Sequence, residues 1–343
     1  MAFADRGRVI AALQALMVCF VWSTSFIITK RLYRYGIGPL TLTGLRYGLA
    51  GLALLPVWAW RRRTSACRPR PRGPRLWRLG ALGLAGYAIN PLGYTIGLTV
   101  LPANWVGVVL GVNNTLQVLF WSALLLRERP ATVQLAGIVV AALATVAFEP
   151  LDAELRLSVL APTLAMLVSG LGYALWIVGN RSLLRESDPL ELVCPSMLSG
   201  ALPVLAVAIG IEGLPRLPAL AWLLMLALAV INTSAAFLTW THTQRSLAPH
   251  ESAAINNTMT VQIALLAFLL LHEPLSTRQW VLILVVATAT LIVQTTGRAR
   301  ARIATVPGRT SGPADRPSVC QPADFPSMSR WPSFRRRCRG TRR

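Results

Sequence analysis

Apolar residues run in long blocks along this chain, and polar residues fall between the blocks or in small groups inside them. Ten blocks can be drawn, over 9–29, 40–60, 77–99, 103–126, 132–148, 158–178, 192–211, 217–238, 248–271 and 280–295. Each is close to the ~20 residues that cross a hydrocarbon core about 30 Å thick. Backbone polar groups in lipid must find partners within the segment, so such blocks form helices. The strict alternation of a transmembrane barrel strand is absent. The pattern predicts an all-α integral membrane protein with ten transmembrane helices.

Two blocks carry polar groups near their centres. The stretch 111–130 holds Asn113, Asn114 and Gln117 and ends on Arg127-Glu128-Arg129-Pro130. The stretch 254–274 holds Asn256, Asn257, Thr258 and Gln262 and ends on Glu273-Pro274. A single offset aligns Glu128 with Glu273, Gln117 with Gln262 and Thr115 with Thr260. Halves that echo each other in this way indicate a duplicated unit. Five helices per unit is an odd number, so the second unit enters the membrane from the opposite side. The expected architecture is two inverted five-helix repeats, residues 1–150 and 151–297, followed by a basic tail at 298–343. Inverted repeats of this kind place substrate near the bilayer midplane, at the repeat interface.

Charge sets the orientation. Hydrophobic residues make up 54% of the 343 positions and charged residues 14%, against about 25% in a soluble domain. The net charge of +21 would point to nucleic acid in a soluble protein. Here the arginines crowd the loop between blocks two and three (Arg61, Arg62, Arg63, Arg68, Arg70, Arg72, Arg75, Arg78) and the tail. The loop after block five is net acidic, with Glu149, Asp152 and Glu154 against Arg156. Positive loops stay inside, so both termini are expected in the cytoplasm of a multi-pass protein of the cell membrane. Lys30, Arg31 and Arg34 fall on the other side and are outnumbered. The tail, rich in Arg, Pro and Ser, lacks apolar periodicity and is expected to be disordered. Nucleic acid is not an expected partner; the lipid bilayer and a small-molecule substrate are, and a homo-oligomer is compatible with the sequence. The five cysteines and three histidines show no metal-ligand spacing. No phosphate-binding G-x-x-x-x-G-K-[ST] is present. No metal, cofactor or ATP-driven step is expected.

Several local motifs then carry a family resemblance. The first helix holds Val21-Trp22-Ser23-Thr24-Ser25-Phe26, the second opens on Gly38-Pro39-Leu40 and reaches Arg46, and the fourth and ninth end on Glu128 and Glu273. The second half echoes the first at Tyr173 through Trp176 to Arg181, and at Pro189 opposite Pro39. With these motifs the chain resembles the EamA type within the drug/metabolite transporter superfamily, over about residues 9–296. The resemblance implies a ten-helix transporter of small metabolites, often an exporter of amino acids or related compounds.

The candidate substrate-binding residues are Trp22, Arg46, Asn90, Tyr94, Asn113, Asn114, Gln117, Tyr173, Trp176, Asn256, Asn257 and Gln262. Amides at membrane depth either bond substrate or tie helices together for about 1 kcal/mol each. Aromatic residues either line a cavity or pack and anchor at the interface. Arg46, about two turns into its helix, either binds an anion or snorkels and pairs. Glu128 and Glu273 stand at helix ends, as gates or as loop anchors. A membrane-embedded enzyme would need a catalytic pair within hydrogen-bond reach, and no His/Asp/Ser set stands at membrane depth, so none is expected. The remaining alternative to a transporter is a non-transporting membrane scaffold or regulator with the same fold.

Overall fold

The computed structural model describes residues 2–64, 73–126, 131–147, 153–184, 187–213, 215–247, 252 and 255–303. The expected tail at 298–343 and Glu128 lie largely or wholly outside them; the last helix continues to Ile303. Every regular element among the described residues is helical.

The helices follow the apolar blocks and extend past them into charged ends. They are α1 Ala2–Tyr33, α2 Pro39–Thr64, α3 Gly73–Gly83, α4 Asn90–Val100, α5 Ala103–Leu126, α6 Thr132–Val146 and α7 Ala153–Leu184. After them come α8 Pro189–Ile211, α9 Ala219–Ala229, α10 Ala236–Thr243, α11 Thr258–Leu266 and α12 Thr277–Ile303. Five described helices are long and apolar enough to cross a membrane: Gly7–Tyr33, Pro39–Thr64, Leu160–Ile177, Pro189–Ile211 and Ala219–Thr243. Shorter apolar helices run over Thr132–Thr145, Thr258–Leu271 and Thr277–Ile292.

Local chemistry sets the ends. Pro39 and Pro189 sit at first helical positions, where a missing N–H costs least. Asp188 caps α8 by accepting from the Leu190 amide at 3.1 Å. Gly36 (φ +74°) and Gly213 (φ +76°) close α1 and α8 in the left-handed conformation that glycine adopts without a Cβ clash.

Two of the expected helices are not regular. A π-helical stretch, Leu84–Ile89, joins α3 to α4, and a second, Val230–Ala235, joins α9 to α10. Each lies in the third apolar block of its half. Each widens the helix by one residue per turn and frees main-chain groups, a distortion common at functional sites. The block 248–271 is also interrupted. Asn257 lies in a turn, α11 starts at Thr258, and the end over Ala267–Leu271 is again π-helical. Adjacent asparagines favour such a break, because their amides compete with the helical backbone.

Small residues let the helices approach. Gly44 faces α8 so closely that a Cβ would lie 2.9 Å from the Leu205 Cα, and a Cβ on Gly93 would lie 2.2 Å from the Ala165 carbonyl oxygen. The largest helix pairings are α2 on α8, α6 on α12 and α4 on α7. Aromatic residues fill the centre: Trp22, Tyr47, Tyr87, Trp176 and Trp240 belong to one buried cluster, and Phe26, Tyr94 and Trp105 to the next. The outer surface is apolar in turn, with Ile211 73% and Leu143 65% exposed, as a surface facing hydrocarbon requires.

Candidate functional site

A cavity of about 110 Å³ lies among the helices. Helix α1 contributes Trp22, Ser25 and Phe26; α2 contributes Arg46 and Tyr47; and α4 contributes Asn90 and Tyr94. Helix α5 presents Asn114 beside Gly107 and Gly111, and α7 presents Ser169, Tyr173 and Trp176. Phe237 of α10, the Asn256-Asn257 pair and Thr260 of α11 complete the wall. Both halves of the sequence therefore face one space.

Among the described residues Arg46 is the one charged side chain in that wall, and it is only 2% exposed. Placing a guanidinium inside a membrane helix costs about 3 kcal/mol, so its partners decide whether it is tolerated. Its Nε donates to Thr233 Oγ1 at 2.7 Å, and Nη1 donates to the Tyr94 hydroxyl. Its Cζ lies 5.2 Å from the Tyr47 ring centroid. Thr233 belongs to the second π-helical stretch and donates in turn to the Leu228 carbonyl at 2.8 Å, five residues back. Among the described residues no carboxylate pairs with Arg46. Within the described residues the guanidinium is thus held by neutral groups, with no counter-ion.

The aromatic part of the wall is built as a cage. Trp22 lies 4.9 Å from Phe237 and 5.1 Å from Trp240, ring centre to ring centre. Trp176 lies 5.6 Å from Phe237, and Phe26 stacks on Tyr94 at 5.4 Å. Four buried polar atoms of the wall have no hydrogen-bond partner: Trp22 Nε1, Asn114 Oδ1, Trp176 Nε1 and Asn257 Nδ2. Buried polar groups are ordinarily paired, and an unmade bond costs about 1–3 kcal/mol.

Comparison with known proteins decides the family. The model of the EamA-like transporter family matches residues 9–148 and again 161–295. The chain belongs to the EamA-like transporter family. An uncharacterized transporter of Archaeoglobus fulgidus is 26% identical over 191 residues, which cover 55% of this chain and 64% of that protein. The chain therefore spans somewhat under two thirds of that relative. A solved structure described only as the crystal structure of a protein superposes with a TM-score of 0.63 at 20% identity, over 84% of this chain and 97% of the other. At that identity the likeness carries the fold.

In this EamA-type membrane protein, nine of the sequence candidates face the cavity: Trp22, Arg46, Asn90, Tyr94, Asn114, Tyr173, Trp176, Asn256 and Asn257. Three do not, and each has a partner elsewhere. Asn113 Nδ2 donates to the Met166 carbonyl of α7 at 2.7 Å. Gln117 Oε1 accepts from Trp121 Nε1 on its own helix at 3.1 Å. Gln262 Oε1 accepts from Ser23 Oγ of α1 at 3.0 Å, and its Nε2 donates to Thr258 Oγ1 at 3.2 Å. Asn113 and Gln117 share one face of α5, while Asn114 is turned by about 100° from Asn113 and looks into the space.

Tyr47, Phe237, Ser25 and Ser169 line the cavity without having been singled out in the sequence. A tyrosine, a phenylalanine and two serines in apolar helices give no signal that separates lining from packing. Thr233 could have been found only from its bond to Arg46.

Glu273 is half-buried and lies outside the cavity wall. Its carboxylate accepts from the backbone N–H of Ala103 (3.0 Å) and Asn104 (3.2 Å), across the first turn of α5. Glu212, which was not a candidate, does the same for α2, accepting from Leu40 at 3.0 Å and Thr41 at 2.8 Å. Each glutamate belongs to the second half of the chain and caps a helix of the first.

Proposed function

We propose that the protein is a secondary transporter that exports a small carboxylate-bearing metabolite, an amino acid or a related compound, by alternating access. The observation that supports this most directly is Arg46. It lies buried in the wall of a cavity built by both halves, and its partners among the described residues are neutral. A carboxylate is the group that matches a guanidinium in charge and in bidentate geometry. The cage of Trp22, Trp176 and Phe237 then takes the apolar body of the cargo, and the free amide atoms of Asn114 and Asn257 set its orientation.

In this reading ten spans form two inverted five-helix repeats, with both termini in the cytoplasm of the cell membrane. Two features support the repeat: the paired π-helical stretches, Leu84–Ile89 and Val230–Ala235, and the family match to each half. The repeats rock about the cavity. Glu212 and Glu273 act as clasps between the halves, holding one face shut while the other opens. Glu128, the counterpart of Glu273, belongs to the same set of helix-end gates and lies outside the described residues.

The test is uptake into liposomes carrying the purified protein. Labelled amino acids and related carboxylic acids are expected to cross only when the protein is present. Arg46→Gln should reduce that flux about 5–150-fold, the range that follows from losing a charged partner worth 1–3 kcal/mol. Absence of flux for every carboxylate, with folded protein in the membrane, would favour a non-transporting scaffold with this fold.

A further inference from the structure

We infer that the cavity selects organic anions bearing a carboxylate and no ammonium group, in preference to zwitterionic amino acids of the same shape. The inference rests on the reading of this cavity as the substrate site and narrows its cargo.

Three observations carry it. The first is charge. Among the described residues Arg46 is the one charged group in the wall, no Asp or Glu lines the space, and no carboxylate neutralises the guanidinium. An empty cavity is therefore cationic, and a monoanion brings it to neutrality. A zwitterion leaves the net charge where it was.

The second is the inventory of free polar atoms. Trp22 Nε1, Trp176 Nε1 and Asn257 Nδ2 are donors without partners, on side chains only 9%, 2% and 6% exposed. They suit carboxylate, carbonyl or hydroxyl oxygens. The one free acceptor of the wall in the same state is Asn114 Oδ1. An ammonium group would bring three N–H donors to a place offering one such acceptor. It would lose its water without full replacement, and it would do so beside a fixed positive charge. Ring faces attract cations, yet the guanidinium already occupies the Tyr47 face at 5.2 Å.

The third is size. A volume of about 110 Å³ compares with the ~150 Å³ of an apolar cavity that accepts benzene. The body of the cargo is then about one ring, enclosed by the rings of Trp22, Trp176 and Phe237.

The experiment compares three probes that share one phenethyl body: 3-phenylpropionate, phenylalanine and phenethylamine. Binding to the full-length protein in lipid nanodiscs is measured by calorimetry. The expected result is that 3-phenylpropionate binds at least tenfold tighter than phenylalanine, a difference of about 1.4 kcal/mol. Phenethylamine should give no heat at concentrations that saturate with 3-phenylpropionate. Arg46→Gln should abolish binding of 3-phenylpropionate. Should that variant fail to fold, Trp22→Phe keeps a ring in the wall, removes the N–H, and should weaken 3-phenylpropionate about fivefold or more.

Two other outcomes separate the levels of the argument. If phenylalanine binds as tightly as 3-phenylpropionate and both depend on Arg46, the preference for anions is overturned while the substrate site stands. If neither acid binds, or binding ignores both Arg46→Gln and Trp22→Phe, the cavity is not the substrate site and the inference goes with it.

Discussion

At the scale of single residues, the amides separate by the partners they have. Asn113 and Gln262 spend their hydrogen-bonding capacity on neighbouring helices, tying α5 to α7 and α11 to α1. Asn114 and Asn257 each keep an atom free toward the cavity. The sequence treats all four alike. We predict that Gln262→Leu lowers the thermal stability of the purified protein, by about 1 kcal/mol for the lost interhelical bond, and leaves substrate affinity unchanged. Asn257→Leu should do the reverse, weakening substrate with little change in melting temperature. Melting and affinity measured on one preparation of each variant check both. A loss of affinity in Gln262→Leu without loss of stability would return that glutamine to the substrate site.

At the scale of elements, regular helices are interrupted next to residues that line the cavity. The stretch Val230–Ala235 turns Thr233 to Arg46 and Asn232 to α1, where Asn232 Nδ2 donates to the Val21 carbonyl and to Thr24 Oγ1 at 2.9 Å. Thr233 and Ser234 donate to carbonyls five residues back, at 2.8 and 3.1 Å, which satisfies oxygens at the irregular turn. The helix-end glutamates Glu212 and Glu273 act through backbone as well. Each carboxylate spans two N-terminal amides, where a negative charge is favoured by about 0.3–1 kcal/mol. His272 takes φ 56° to bring Glu273 round, a conformation rare outside glycine and a few polar residues.

Gly38 gives a sharp test of these clasps. A Cβ there would lie 2.1 Å from the Glu212 carboxyl carbon, so Gly38→Ala must push the carboxylate off the α2 amides. We predict that Gly38→Ala and the double variant Glu212→Gln, Glu273→Gln both favour opening of that face. A cysteine introduced in place of Ser25, in the cavity wall, should then react several-fold faster with an impermeant maleimide added outside cells. Unchanged labelling in folded protein would reduce the clasps to ordinary helix caps.

At the scale of the whole molecule, the apolar outer surface marks what faces hydrocarbon, and the proposed orientation puts the basic loops inside. Side chains such as Ile211, Leu143 and Leu223 are exposed over more than half their surface and need hydrocarbon around them. Arg61 pairs with Asp188 at 3.7 Å, and Arg62 lies over the Trp58 ring at 4.4 Å, at the end of α2 assigned to the cytoplasm. Reporter fusions after Arg75 and after Arg298 should both read cytoplasmic, and a fusion at 151–156 should read external. Reporters after Arg75 and Arg298 on opposite sides of the membrane would remove the ten-span arrangement.

The helical, membrane-spanning character of this chain, its family and its internal echo were legible in the sequence alone. Each depends on composition and spacing, because lipid allows only backbones that satisfy themselves and gives every apolar block the same fate. Arg46 and the amides were legible as candidates, since a charge or an amide at membrane depth is costly enough to need a reason, and Trp22, Tyr94, Tyr173 and Trp176 stood beside them. What the sequence could not decide was direction. Asn113 and Asn114 are adjacent and chemically identical, yet one bonds α7 and the other faces the cavity, a difference of about 100° around one helix. Thr233 as the partner of Arg46 and Glu212 as the cap of α2 join residues far apart in the chain. Those pairings come from helix packing, which the close approaches of Gly44 and Gly93 permit and no local pattern encodes.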